Sequence, residues 1–320
     1  MWQGDDPAAR KREARARAKI TLRSVIDQYL AAKQSGLRPR SLREANRYLL
    51  RTWKPLHNWP IDKIVRKQVA DIVTDLELSA PVAAGRARSQ LSSLFKWAMG
   101  RGLADLNPVV GTNNPGRGNA RERTLTDKEL AKIWRACDDA GDYGHVVRLL
   151  ILTGARRLEI GAMQWAEFDR DAGIWTLPAA RAKNRRALTL TLPGMAWRII
   201  DSVKQRPHNG YLFGLRAGFT NWAIGKAALD QRSGVTDWTV HDLRRTTATR
   251  MSDLGIQPHI VEAVLNHASG HKRGVTGVYN RSPYAREVKN ALAIWADHVV
   301  SISQGDERKI ISIGATPIPG

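Results

Sequence analysis

One short stretch of the chain changes its hydrophobic period, and it limits the fold more than any other feature. Leu188, Leu190 and Leu192 alternate with Thr189 and Thr191, the two-residue repeat of a strand with one buried face. "GIWTL", residues 173–177, is its expected hairpin partner, and "RAKNRR", residues 181–186, the turn between them. Elsewhere the apolar residues recur at helical spacing, as in "TLRSVIDQYLAA", where Leu22, Val25, Ile26, Tyr29 and Leu30 share one face. The expected fold class is therefore mainly α: a helical domain followed by an α+β domain whose helices carry a small antiparallel sheet.

Punctuation divides the chain further. Residues 1–19 hold "DPAARKREARARAK", small and Arg-rich, which reads as a basic linker or solvated helix that follows something else. Residues 20–107 form the helical domain, of four or five helices. Ser41 stands three residues before Glu44, a capping-box spacing, and "PVAAGRARSQLSSLFKWAMGRG" starts on proline and ends in Gly-Arg-Gly. Residues 108–123, rich in Asn, Gly, Pro and Arg, read as a basic interdomain linker. The second domain covers 124–300, opening with Thr126 and Glu129 as a capping box before a helix near 128–138. A tail, 301–320, carries the strand-like "KIISI", either a disordered end or a strand for a neighbour's sheet.

Charge narrows the partner. With 51 Lys and Arg against 30 Asp and Glu, the formal net charge is +21. Such a surface repels itself unless it meets a polyanion, and double-stranded DNA is the leading candidate. A membrane partner is disfavoured, because no run approaches the roughly 20 apolar residues of a spanning helix. Cys137, the single cysteine, leaves no internal disulfide framework and no thiolate zinc site, and fits a reducing cytoplasm. Most of the 11 tryptophans lie on apolar helical stripes and read as core rather than as base-stacking platforms.

Cationic and nucleophilic residues gather in four pieces of the second domain. In "TGARRLEI", Arg156 and Glu159 share a helix face, where the acid orients the guanidinium or simply forms a surface ion pair. Lys183 sits at the hairpin turn, where such residues are usually just solvated. In "VHDLRRTTATRM", His241 and Arg244 are three apart at a helix start, backed by Leu243, Thr247, Met251 and Leu254, an arrangement suited to a phosphate. In the fourth piece, His267 follows the stripe Ile260, Val261, Val264 and Leu265. Two tyrosines then compete. Tyr284 falls on a face with Val288, Leu292, Trp295 and Val299 and reads as core, with Ser282 and Pro283 as cap and first helical residue. Tyr279 lies off that stripe and is the functional tyrosine by elimination.

"TGARRLEI", "HDLRRTTAT", "LNH" and "VYNR", in this order, resemble the motifs of the tyrosine recombinase (phage integrase) family, in particular prophage and genomic-island integrases. The resemblance covers the second domain, and the helical first domain resembles the family's core-binding domain. "GDDP" and the basic stretch after it resemble the junction that follows an arm-binding domain. "LNH" stands where the family usually has "LGH", a change at Asn266 expected to be tolerated. The resemblance implies a site-specific recombinase in which Arg156 and Arg244 clamp a phosphodiester, Tyr279 attacks phosphorus and His241 handles its proton. Lys183, swinging in on its turn, protonates the leaving 5′-hydroxyl, His267 donates to a phosphate oxygen, and Glu159 supports Arg156. It implies a 3′-phosphotyrosine intermediate, a homo-tetramer in a synaptic complex, and an excisionase or DNA-bending host protein as further partners. No cofactor or metal is expected: the chain has no G-x-x-x-x-G-K-[ST] loop and no evident carboxylate cluster. The rival readings are a type IB topoisomerase, a non-catalytic DNA-binding protein, and a zinc hydrolase built on His267 and His271. With both domains and the linker basic, the expected binding mode is a clamp around duplex DNA. The charge predicts that log K for a duplex falls linearly with log salt, by about 0.9 per phosphate neutralised; fluorescence anisotropy across a salt series measures that slope, and a flat line contradicts the clamp.

Overall fold

The computed structural model describes residues 19–116, 121–206, 210–215, 217–267 and 284–305. The chain divides into two compact units, Met1–Ala120 and Arg121–Gly320.

In the first unit, α1 (Leu22–Lys33) starts at Thr21, whose hydroxyl accepts the Ser24 N–H at 3.3 Å. α2 (Pro39–Arg47) continues into a π-helical turn, Tyr48–Thr52. α3 (Arg66–Ser79) and α4 (Pro81–Met99) complete the unit's longer helices. The expected α1 stripe is its buried face, meeting Leu49, Trp53 and Val69 together with Leu91, Leu94 and Phe95 of α4. The Trp53 indole N–H, fully buried, donates to the Ala87 carbonyl at 3.1 Å. Ser41 caps nothing, because Pro39 opens α2 two residues earlier and leaves Ser41 in its first turn. The stretch from 108 is also more than a linker at its start. Val109 is fully buried in this core, and Arg88 grips the segment through the Val109 carbonyl at 3.1 Å and the Thr112 hydroxyl at 2.8 Å.

In the second unit, α5 (Asp127–Ala136) begins with the expected capping box: the Thr126 hydroxyl accepts the Glu129 N–H at 3.3 Å and the Glu129 carboxylate accepts the Thr126 N–H at 2.9 Å. α6 (Gly141–Thr153) is apolar nearly all round, and accordingly sits in the middle with Val146, Val147, Leu149, Leu150, Ile151 and Leu152 buried. α7 (Arg157–Gly161) leads to the sheet: β1 (Phe168–Asp169), β2 (Ile174–Leu177) and β3 (Leu188–Thr191), antiparallel in that order. Trp175 pairs with Leu190 and Leu177 with Leu188, so one face enters the core while Thr176 and Thr189 face solvent. β1 has two residues, too few to display a period in the sequence.

α8 (Gly194–Ser202), α9 (Trp222–Ser233), α10 (Val240–Asp253), α11 (Pro258–Val264) and α12 (Ala285–Gln304) surround α6 and the sheet. The α12 stripe Val288, Leu292, Trp295 and Val299 is buried, and the Trp295 N–H donates to the Ile151 carbonyl of α6 at 2.7 Å. Tyr284 departs from its expected place within that helix. It precedes α12 in a left-handed conformation, φ 49°, half-buried on the same core with its ring 5.1 Å from that of His259. α12 also runs past residue 301 to a left-handed Gly305, so the tail starts later than its polar composition suggests. "KIISI", Tyr279, Ser282 and Pro283 lie outside the described residues. Among the described residues no helix is long and apolar enough to cross a membrane.

Gly154 ends α6 at φ 60°, and a β-carbon there would stand 2.7 Å from Leu265 Cδ2 and 3.1 Å from Thr247 Cγ2. Both the backbone conformation and the space exclude a side chain. Gly154→Ala is expected to destabilise the second unit by about 2–4 kcal/mol, the sum of a left-handed alanine and an overpacked contact; chemical denaturation of the variant measures it.

Candidate active site

The turn after α6, the start of α10 and the end of α11 meet around one guanidinium. Arg244, on the second turn of α10, is 5% exposed. Its Nη1 donates to the Gly154 carbonyl at 2.5 Å and its Nη2 to the Leu265 carbonyl at 2.6 Å. Two of its five N–H donors thus hold α6 and α11 together. Burial, followed by the nearby Arg156 charge, pushes its pKa down to about 10, so it stays cationic at neutral pH. A second cation held beside a buried one is costly, and what the pair attracts is an anion.

Arg156 stands at the N-cap of α7, where its backbone N–H donates to Glu159 Oε2 at 2.9 Å and its Nη1 to Glu159 Oε1 at 3.0 Å. Glu159 is 3% exposed, so this is no surface ion pair: the acid fixes both the backbone and the guanidinium of Arg156. One buried carboxylate beside two arginines leaves the locus cationic.

His241 and His267 border that locus. His241, at the start of α10, is more exposed than Arg244, which is buried three residues on. Partial burial lowers the His241 pKa, and the charges of Arg245, Arg244 and Lys183 lower it further. Partial burial, then Arg244 and Arg156, do the same for His267. Both imidazoles are therefore neutral at pH 7, able to accept a proton or donate one N–H each. The charges felt by these rings place Arg156, Lys183, His241, Arg244 and His267 about a single locus, although 111 positions separate Arg156 from His267 in the sequence.

Lys183 is exposed on the loop between β2 and β3, its backbone N–H 3.5 Å from Glu159 Oε1. The loop is not the free turn that its polar sequence suggests. Arg181 anchors its root with a fork onto buried Glu167, at 2.5 and 2.7 Å, and a 3.2 Å bond to the Glu159 carbonyl. Glu167 also accepts the Trp175 N–H at 3.0 Å. At the tip, the Asn184 side chain donates to the Asn266 carbonyl at 2.7 Å.

A second support was invisible in the sequence. Asp242, fully buried between His241 and Leu243, accepts the Thr239 N–H and Arg121 Nε, each at 2.8 Å, and pairs with Arg245. Burial acts to raise its pKa, yet the bonds from Arg121 and Thr239 prevail and hold it below the usual carboxylate range. Arg121 also bonds Asp237 at 2.7 Å, and Arg123 bonds Glu129 at 2.5 Å. Within the second unit, the basic stretch before residue 124 is thus fastened to the start of α10. Partners so distant in sequence leave no local signal. Arg181 had one: it lies two residues from Lys183.

Tyr279 and His271, second ligand of the zinc alternative, lie outside the described residues, among which no group of three or more His, Cys, Asp or Glu could hold a metal ion. The lowered imidazole pKa values have a direct test. In the DNA-free protein, NMR titration is expected to place the His241 and His267 midpoints below the ordinary 6.5. Arg156→Gln raises the His267 midpoint by removing a cation, and a duplex raises both by adding phosphate charge.

Residues 123–286 match the phage integrase family and residues 22–114 the phage integrase central domain. The prophage integrase IntZ of Escherichia coli (strain K12) is 27% identical over 252 residues, or 76% of this chain and 62% of that protein. The chain thus spans about three fifths of that relative's length. A lambda integrase tetramer bound to a Holliday junction superposes with a TM-score of 0.63 at 18% identity, over 84% of this chain and 83% of the other. The Tn1549 transposon integrase in complex with transposon right end DNA gives 0.64 at 13% identity, over 78% and 92%. Likeness at these identities speaks for the fold. The match to residues 123–286 takes in more than half of the 320 residues, and with it the chain belongs to the phage integrase family.

Proposed function

We propose that this chain is a site-specific DNA recombinase that cuts and rejoins strands through a 3′-phosphotyrosine intermediate, integrating or excising a mobile element. The observation that carries this reading is the buried Arg244 beside Arg156, two guanidiniums near one buried carboxylate, Glu159, which Arg156 bonds. A phosphodiester supplies the missing negative charge, and its trigonal-bipyramidal transition state supplies more. Guanidinium forks match paired phosphate oxygens and remain charged throughout. Donors fixed in advance by Gly154, Leu265 and Glu159 bind the transition state better than the ground state.

In this mechanism the Tyr279 hydroxyl attacks phosphorus as neutral His241 takes its proton. The bond from phosphorus to the 5′-oxygen breaks, and Lys183 delivers a proton to that oxygen. His267 donates a hydrogen bond to a phosphate oxygen, and Glu159 keeps Arg156 oriented. The ester energy is retained in the phosphotyrosine, so the 5′-hydroxyl of a partner strand reverses the step without a nucleotide cofactor. Duplex attachment sites in the cytoplasm are the substrate. A homo-tetramer on two duplexes is the synaptic form, a reading supported by the lambda integrase tetramer bound to a Holliday junction, with an excisionase or a host DNA-bending protein setting direction.

A nicked suicide duplex carrying the attachment site beside the encoding gene tests this on a denaturing gel. A covalent protein–DNA band is expected, abolished by Tyr279→Phe and retained by Tyr284→Phe. Arg244→Lys, which loses the fork, is expected to slow cleavage about 100-fold or more. A band that survives Tyr279→Phe sinks the assignment of the nucleophile.

A further inference from the structure

Asn266 occupies a backbone conformation suited to glycine, and its side chain there reaches the loop that carries Lys183. α11 ends in a Schellman motif: the Asn266 N–H donates to the Ala263 carbonyl at 3.1 Å and the His267 N–H to the Glu262 carbonyl at 3.0 Å. Asn266 is the left-handed residue of that motif, at φ 49°. The turn needs no side chain at this position, and glycine adopts it without steric cost.

The side chain spans two elements 82 positions apart. Asn184 Nδ2 donates to the Asn266 carbonyl at 2.7 Å and to Asn266 Oδ1 at 3.1 Å, while Asn266 Nδ2 donates to the Arg186 carbonyl at 3.0 Å. Asn184 Oδ1 accepts the Arg186 N–H at 3.1 Å, which fixes which end of that amide faces α11. Rotating either amide would set oxygen against oxygen. The bridge therefore has one bonded arrangement. Asn184 directly follows Lys183, and Asn266 directly precedes His267. With Arg181 holding the loop root, the interlock fixes the loop on both sides of the lysine.

We propose that Asn184 and Asn266 are positioning residues that lock the Lys183 loop to the end of α11, setting the lysine in place relative to His267 and the arginine pair before the ester opens. This rests on the recombinase reading of Lys183 as the proton donor to the leaving oxygen. Neither asparagine touches the reacting atoms; each acts through the loop. A general acid contributes roughly 10²–10⁴-fold, and a small misplacement forfeits part of it.

The decisive variant is Asn266→Gly, which removes the two bonds made by the Asn266 side chain and leaves the Asn184 bond to its carbonyl, while giving the left-handed turn its preferred residue, so the fold is not put at risk. Asn184→Ala removes both bonds to Asn266, including the one to its carbonyl. In the DNA-free protein, amide hydrogen exchange of the peptide covering residues 182–187 is expected to rise at least tenfold in both variants, with thermal stability held or raised in Asn266→Gly. On the nicked attachment-site duplex, single-turnover cleavage is expected to fall about 10- to 100-fold. The loss shrinks to about twofold when sulfur replaces the scissile 5′-oxygen, because a thiolate departs without a proton donor. Lys183→Ala is the reference for that rescue, and the double variant is expected to be no worse than either single one. An equal fall on both substrates, or unaltered cleavage of the oxygen substrate, overturns the proposal. Unchanged loop exchange overturns it whatever the gel records. Absence of any covalent band with the unsubstituted protein refutes the recombinase reading instead, and loop exchange still decides the interlock.

Discussion

The second unit is organised around a guanidinium that has been taken out of water. Arg244 gives hydrogen bonds to the Gly154 carbonyl after α6 and to the Leu265 carbonyl at the end of α11, and so ties both to α10. Gly154, which carries the first of these carbonyls, is left-handed, and a β-carbon there would meet Leu265 and Thr247. Arg156 then follows within two residues of that turn. The anion-seeking character of the site is thus built by the same contacts that close the core.

Supporting acids are distributed unevenly around this centre, and the unevenness is chemical. Glu159 is spent on Arg156, Glu167 on Arg181, and Asp242 on Arg121 and Arg245. Each fixes an element from behind, whereas the ring nitrogens of His241 and His267 see mainly cations. Neutral imidazoles beside fixed guanidiniums suit a reaction in which protons move while charge on phosphorus grows.

Much of this was legible in the residues because periodicity reports burial. The stripes of α1 and α12, the Thr126 cap and the alternating strand at 188–192 all follow from local rules that the packing does not oppose. Local rules failed where a stronger neighbour intervened: Pro39 took the helix start from Ser41, and a left-handed Tyr284 stands outside the helix whose stripe it seemed to begin. The loop of Lys183 looked solvated because its composition is polar, yet its polar groups bond to Glu167, Glu159 and Asn266, 14 to 82 positions away. Composition tells that such groups need partners; it does not tell which partners the fold brings.

Asp242 gives the start of α10 a mechanical property. Its buried carboxylate ties Arg121 to the helix turn that carries His241, and parting that pair leaves the acid with Thr239 and Arg245 as partners. Tension applied along the chain at residue 121 is therefore delivered to the first turn of α10, with little slack to absorb it.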